Sequence, residues 1–211
     1  MHPTLHVVIE DGLVRVCGTY PITHDDRELD RYLVEITFPP DYPESIPLLR
    51  EVGGRLPQIA SRHFSDDGTA CLFVPDEREW IWPTGASFSD FLDGPVRNFL
   101  LFQSIVSRGG KWPHGERSHG VEGVLEFYKE ILATEDLRLV LRYVEYLSLP
   151  SVQGRLCPCG SGRKAKKCHD AQLRELRQRI RPHVAYETLE RLRIEVEKAT
   201  KASHEASEQA P

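Results

Sequence analysis

Between residues 157 and 169 the chain reads Cys157-Pro-Cys159-Gly-Ser-Gly-Arg-Lys-Ala-Lys-Lys-Cys168-His169, three thiols and one imidazole within 13 residues. So short and polar a run cannot bury a core of its own, and a fold there needs a staple. Three soft donors and one borderline donor form the tetrahedral set that zinc favours, and a closed set of four is structural rather than catalytic. Gly160 and Gly162 let the chain turn back so that the second ligand pair meets the first. Arg163, Lys164, Lys166 and Lys167 offset the charge of the thiolates. The competing reading is a chance cluster of buried thiols. The remaining cysteines are Cys17 and Cys71, and an odd total with three clustered argues for metal or catalytic use over a disulfide framework.

This run resembles the SEC-C motif, a short zinc-binding element carried by many otherwise unrelated bacterial proteins. The resemblance implies a structural Zn2+ held by Cys157, Cys159, Cys168 and His169, with no open coordination position for catalysis. Charge sets the region apart as well. Residues 1–156 carry 15 Lys and Arg against 24 Asp and Glu, whereas residues 157–203 carry 12 against 6. An acidic body and a basic tail suggest two modules with different partners. The basic run could touch nucleic acid or an acidic protein; a metal staple for a small domain explains it equally well.

The opening of the chain alternates. His6–Glu10 and Leu13–Tyr20 flank Asp11-Gly12, a dipeptide that closes hairpins. Tyr32, Val34, Ile36 and Phe38 alternate with Leu33, Glu35 and Thr37, the pattern of a half-buried strand, which Pro39-Pro40 ends. Leu48–Val52 is a fourth strand, completing an antiparallel meander. Cys17 falls mid-strand and reads as core. Residues 57–87 show no period yet carry His63, Cys71, Trp80 and Trp82, so they read as a packed functional loop. Helices follow. Gly94-Pro95 puts proline at a first helical position before Val96, Phe99, Leu100 and Val106. Val121–Leu132 is a second helix, and Thr134 caps a third with Leu137, Val140, Leu141 and Val144 on its apolar face. Two more are expected from Leu173, Leu176 and Ile180, and from Leu189, Leu192, Val196 and Ala199, separated by Pro182. No run approaches the roughly 18 apolar residues of a membrane span. The N-terminus lacks the pattern of a signal peptide, so a cytoplasmic protein is expected.

Three features occur in order along residues 31–110. A strand runs into Phe38-Pro-Pro-Asp-Tyr42-Pro43 with Pro47 beyond. His63-Phe-Ser-Asp-Asp-Gly68-Thr-Ala-Cys71-Leu72 comes next. Trp80 and Trp82 then precede an apolar helix. This ordered set resembles the ubiquitin-conjugating enzymes, over roughly residues 5–135. The resemblance implies a four-stranded antiparallel sheet with packed helices, and a catalytic thiol on Cys71 in a Gly-x-x-Cys-Leu setting. The family's first helix has no room before residue 6. His63 is followed by Phe64-Ser65 where the family has Pro-Asn, so the role of that Asn passes to Ser65, Asp66 or backbone N–H groups near Gly68. The stretch Trp112-Pro-His114-Gly-Glu116-Arg117-Ser-His119 further resembles conjugating-type proteins of bacterial antiphage operons of the short type II CBASS class. That resemblance implies a cGAS-like nucleotidyltransferase as donor protein, its C-terminus carried as a thioester and passed to a lysine of a target protein.

A thiolate at Cys71 would attack an activated acyl group and release it to an amine. Asp66, Asp67, Asp76 and Glu77 are near in sequence and are candidates to orient or deprotonate the incoming lysine. No phosphate loop or dinucleotide fingerprint is visible, so activation must happen elsewhere. Rival readings are a non-catalytic conjugating-like binding module, a zinc-knuckle adaptor for nucleic acid, and a cysteine hydrolase pairing Cys71 with His63 or His119. The adaptor is disfavoured by the lack of stacking aromatics in residues 157–181. The sequence thus predicts an α+β chain, with a conjugating-type domain at 1–148 and a zinc-stapled helical module at 149–211.

Overall fold

The computed structural model describes residues 2–25, 27–113 and 117–208, and the side chains of these except residues 196 and 199–208. Asp11 and Gly12 both take positive φ, 52° and 76°, the backbone that a two-residue hairpin of native twist requires. They join β1 (Leu5–Glu10) to β2 (Leu13–His24), which pairs with β3 (Arg27–Thr37) and then β4 (Leu48–Glu51). All neighbours are antiparallel, so the expected meander is present. Strand parity decides the core. Val16, Tyr20, Ile22, Tyr32, Val34, Ile36 and Leu49 point one way and are buried. Cys17, one position out of phase, lies half-buried on the opposite face across from His6 and Glu35, which corrects its expected place in the core.

Helix α2 (Phe88–Phe91) begins earlier than Gly94-Pro95 suggested, because Ser87 accepts a hydrogen bond from the N–H of Asp90 at 3.1 Å and forms a reciprocal cap with it. A π-helical turn over Leu92–Val96 then takes up Pro95, which has no N–H to give, and α3 (Arg97–Ser107) continues. Phe91, Val96 and Leu100 from this run close the core under the sheet. Glu51 shapes the exit from β4. Its carboxylate is fully buried and accepts from the N–H groups of Gly53, Arg55 and Leu56 at 2.9–3.2 Å.

The chain divides into two compact units, residues 1–73 with 81–116, and residues 74–80 with 117–211. This differs from the division expected at 148/149. Helices α4 (Gly120–Leu132) and α5 (Leu137–Ser148) share their core with α6 (Asp170–Arg179) and α7 (Pro182–Glu208), through Val124, Tyr128, Val144, Leu147, Leu173 and Leu189. The cap of α5 is Asp136, which accepts from the N–H of Arg138 at 2.9 Å, and Thr134 stands two residues before it. Val140 and Val144 are buried as expected, but Leu137 is exposed. Arg177 of α6 donates to the carbonyls of Tyr146, Leu147 and Leu149, closing the C-terminal end of α5. Pro182 separates α6 from α7 as anticipated.

Residues 74–80, which include the first three of the one-turn helix α1 (Arg78–Ile81), are an integral part of this second unit. Tyr128 and Thr188 donate their hydroxyls to the two oxygens of buried Asp76, at 2.5 and 2.8 Å. Trp80 packs edge-on against Phe127 and lies under the Arg179 guanidinium. No described helix is long and apolar enough to cross a membrane.

Glu51→Ala leaves three N–H groups without their acceptor and is expected to destabilise the first unit by about 2–4 kcal/mol in denaturant unfolding. Glu51→Gln, which keeps one acceptor oxygen, is expected to cost less.

Candidate active site and metal centre

Residues 63–71 form a small hairpin. Phe64 bridges Ala70, the N–H of Ser65 donates to the carbonyl of Thr69 at 2.9 Å, and the N–H of Cys71 donates to the carbonyl of His63 at 2.8 Å. The tip is an Asx turn, in which Asp67 accepts from the N–H of Thr69 at 3.0 Å and from its hydroxyl at 2.8 Å. Gly68 closes it at a φ of 78°, and a Cβ there would meet Gln58 Oε1 at 2.6 Å. The hairpin is pinned along β4, where the N–H of Ala70 donates to Leu49 at 2.8 Å, Thr69 bridges Arg50, and Arg50 pairs with Asp67 at 2.9 Å. One edge of the sheet is thereby covered.

Cys71 leaves this hairpin exposed, with the Ser65 hydroxyl 3.4 Å from its sulfur. Of the residues singled out in the sequence, Cys71 and Ser65 are therefore brought together. His63 serves the pair through its backbone. It sits in the left-handed region at a φ of 57°, and its ring lies edge-on to Trp112 with centroids 4.7 Å apart. Before it, buried Gln103 of α3 donates to the carbonyl of Arg62 at 2.6 Å and holds the approach to the hairpin.

The acidic candidates separate. Asp66 is exposed at the hairpin tip. Asp67 is held below the usual carboxylate range by the N–H and hydroxyl of Thr69, with Arg50 adding to the effect, which makes it a poor base. Asp76 and Glu77 belong to the second unit, where burial pushes both carboxyls up, and both oxygens of Asp76 are bonded to hydroxyls. Glu77 pairs with Arg117 at 3.0 Å, and Arg117 also reaches Glu130 at 2.9 Å. The motif around Arg117 is thus a buttress within the second unit, while His114 and Glu116 lie outside the described residues. His119 also belongs to the second unit.

Sequence reading passed over the Arg50–Asp67 pin, the Gln103 tie and the Asp76 hydroxyl pair. The Asp67-Gly68-Thr69 tripeptide was the one local signal available for the first, as an Asx-turn signature. The other two join residues far apart in the chain.

In the second unit Cys157, Cys159, Cys168 and His169 place their ligand atoms within 4.8 Å of one another. Cys157 Sγ and Cys168 Sγ lie 3.3 and 3.4 Å from His169 Nδ1, and the sulfurs of Cys159 and Cys168 are 3.6 Å apart. A tetrahedron with zinc–ligand bonds of about 2.0–2.3 Å has edges of about 3.5–3.8 Å, so the donors are gathered at about the spacing such an ion needs. Gly160 and Gly162, at φ of 82° and 72°, make the return, and the N–H of Cys157 donates to the carbonyl of Arg163 at 2.8 Å. The Ser161 hydroxyl and N–H hold the Cys159 thiol down at about 6, whereas burial pushes Cys157 up to about 11. A bound cation would bring all three to the thiolate form.

The SEC-C motif family matches residues 156–169, spanning all four ligands. No curated protein and no solved structure matches the chain.

Elemental analysis of the purified protein is expected to find one zinc ion per chain, and none in the Cys159→Ser/Cys168→Ser variant. Because Cys157 is buried in the helical core, chelation is expected to lower the melting temperature of the second unit by on the order of 10 °C.

Proposed function

We propose that the first unit is a ubiquitin-conjugating-type acyltransferase that works through a thioester on Cys71, with a structural zinc ion in the second unit. One observation carries this reading: Cys71 is exposed at the mouth of a hairpin pinned to β4, with a hydroxyl beside its sulfur. The motif order in residues 31–110 supports it. In the first step the thiolate attacks an activated acyl carbon, the C–S bond forms and the activating group leaves. In the second an amine attacks the thioester carbonyl, the C–N bond forms, and the thiolate departs. Each step passes through a tetrahedral oxyanion. Ser65 is the side-chain donor placed at the sulfur, and it takes the part that the family's Asn would play. Asp66, the carboxylate left uncommitted at the tip, receives the proton of the incoming amine. The zinc ion, held by Cys157, Cys159, Cys168 and His169, supplies rigidity and no step of the reaction.

The donor on this reading is the C-terminus of a cGAS-like nucleotidyltransferase, and the acceptor a lysine of a target protein in antiphage defence. This finer placement rests on the resemblance around residues 112–119. A second reading, a zinc-knuckle adaptor for nucleic acid, draws on one feature of the second unit. Arg155, Lys164 and Lys166 line a cavity of about 560 Å³ beside the metal loop. Their phosphate binding would weaken steeply with salt.

The deciding experiment is intact-mass measurement on protein co-expressed with its donor, with and without added thiol. A protein-sized adduct that thiol removes, and that Cys71→Ala never acquires, is the expected outcome. Ser65→Ala is expected to slow adduct formation about a hundredfold or more. A folded Cys71→Ala variant that still conjugates, or an unmodified wild type beside activated donor, would sink the acyltransferase.

A further inference from the structure

The two edges of the sheet are treated differently. The β4 edge is occupied by the Cys71 hairpin, whereas β1 pairs with β2 alone among the described strands. An edge strand left open is a template for another chain, and proteins blunt such edges with Lys, Pro or bulges. The β1 segment, Leu5-His-Val-Val-Ile-Glu10, has none of these. Val7 and Ile9 on it are 64% and 70% exposed, more than any other large apolar side chain among the described residues. They lie on the same face as Val16 and Val14, their partners across β2, and Val7 borders a groove of about 370 Å³ lined also by Leu5, Val14, Phe38 and Phe88. The cavity and the free edge are adjacent, so a strand added to β1 would extend the ladder and cover the groove at once.

We propose that this edge pairs with β1 of a second copy of the chain, antiparallel about a twofold axis at Val8. The pairing register follows from the sequence. In the two-residue hairpin Glu10 and Leu13 form the closing hydrogen-bonded pair, so Glu10, Val8 and His6 aim their backbone groups at β2. Val7 and Ile9 aim theirs outward, and these bond across the new seam, while the N–H of Leu5 is already given to the carbonyl of His2 at 3.1 Å. An axis at Val8 sets Val7 against the second copy's Ile9 in hydrogen-bonded pairs, twice by symmetry. The same axis sets His6 against the second copy's Glu10, an imidazole against a carboxylate, also twice. Moving the axis to Val7 pairs His6 with Val8 and leaves Glu10 opposite Thr4. Moving it to His6 brings two imidazoles together, and moving it to Ile9 sets Val7 against Asp11. Of these axes only the one at Val8 brings His6 to Glu10, which also pairs with Arg15 at 3.2 Å, while bonding the backbones of Val7 and Ile9; its end pair is Leu5 against Asp11. The interface is isologous, so it closes as a dimer and does not propagate.

The test is sedimentation of the full-length, metal-loaded protein over a concentration series, with three variants. Wild type is expected to dimerise. His6→Glu sets carboxylate against carboxylate and is expected to weaken the dimer about tenfold or more, while the swap His6→Glu/Glu10→His restores it. Val8→Cys, with its Cβ atoms facing each other at the axis, is expected to give a disulfide between two copies of the residue 8 peptide by mass mapping, and Val7→Cys is not. Val7 is exposed, so Val7→Lys is a second breaking variant that keeps the fold, checked by circular dichroism. A monomer at all concentrations would overturn the proposal and leave the edge to a different protein's strand. So would a dimer indifferent to His6→Glu and Val7→Lys.

Discussion

Asp76 is 1% exposed, and both of its oxygens are committed, to the hydroxyls of Tyr128 on α4 and Thr188 on α7. A buried carboxylate is costly unless its lone pairs are filled, so these two bonds are what make the placement tenable. The course of the chain follows from it. After the hairpin that presents Cys71, residues 74–80 are given to the helical unit before the chain returns at Ile81 to build the helical run beneath the sheet. Removing either hydroxyl partner would leave the charge with half its satisfaction, which is why the segment behaves as part of the helical core.

The thiol hairpin obeys a similar logic at smaller scale. Its tip is ordered by Asp67 and Thr69, and its return strand is bonded to β4, so the position of Cys71 is inherited from the sheet. Exposure of the sulfur and a hydroxyl at 3.4 Å are consequences of that anchoring. The arrangement also covers the outer side of β4, in contrast to β1.

The metal centre is held by local and long-range forces together. The return at Gly160 and Gly162 brings the four donors near one another, and the burial of Cys157 and Ala165 among Leu173, Leu176 and Tyr143 fixes the loop to the helices. A knuckle of this size has no core of its own. Here it shares the core of α4–α7, which is why the compact units part well before residue 149.

The sequence by itself determined the features whose cause is local. Alternation marked the first three strands and a short run at Leu48–Val52 the fourth, Asp11-Gly12 marked the hairpin, Pro182 parted two helices, and donor chemistry at fixed spacing marked Cys157, Cys159, Cys168 and His169. Cys71 stood out by its surroundings, and Ser65 was already among the substitutes for a missing neighbour. What the sequence misplaced depended on partners distant along the chain or on competition between neighbouring caps. Ser87 started a helix ahead of Pro95, and Asp136 outbid Thr134, because a side chain caps only where the backbone lets it reach an N–H. The side of Cys17 is not legible locally, because the phase of an alternating strand is fixed by the face that finds cover. The burial of Asp76 was not legible because its partner Thr188 is 112 residues away, and no window of sequence carries that contact. Tertiary structure decided these cases, since burial and hydrogen-bond satisfaction are properties of the packed whole.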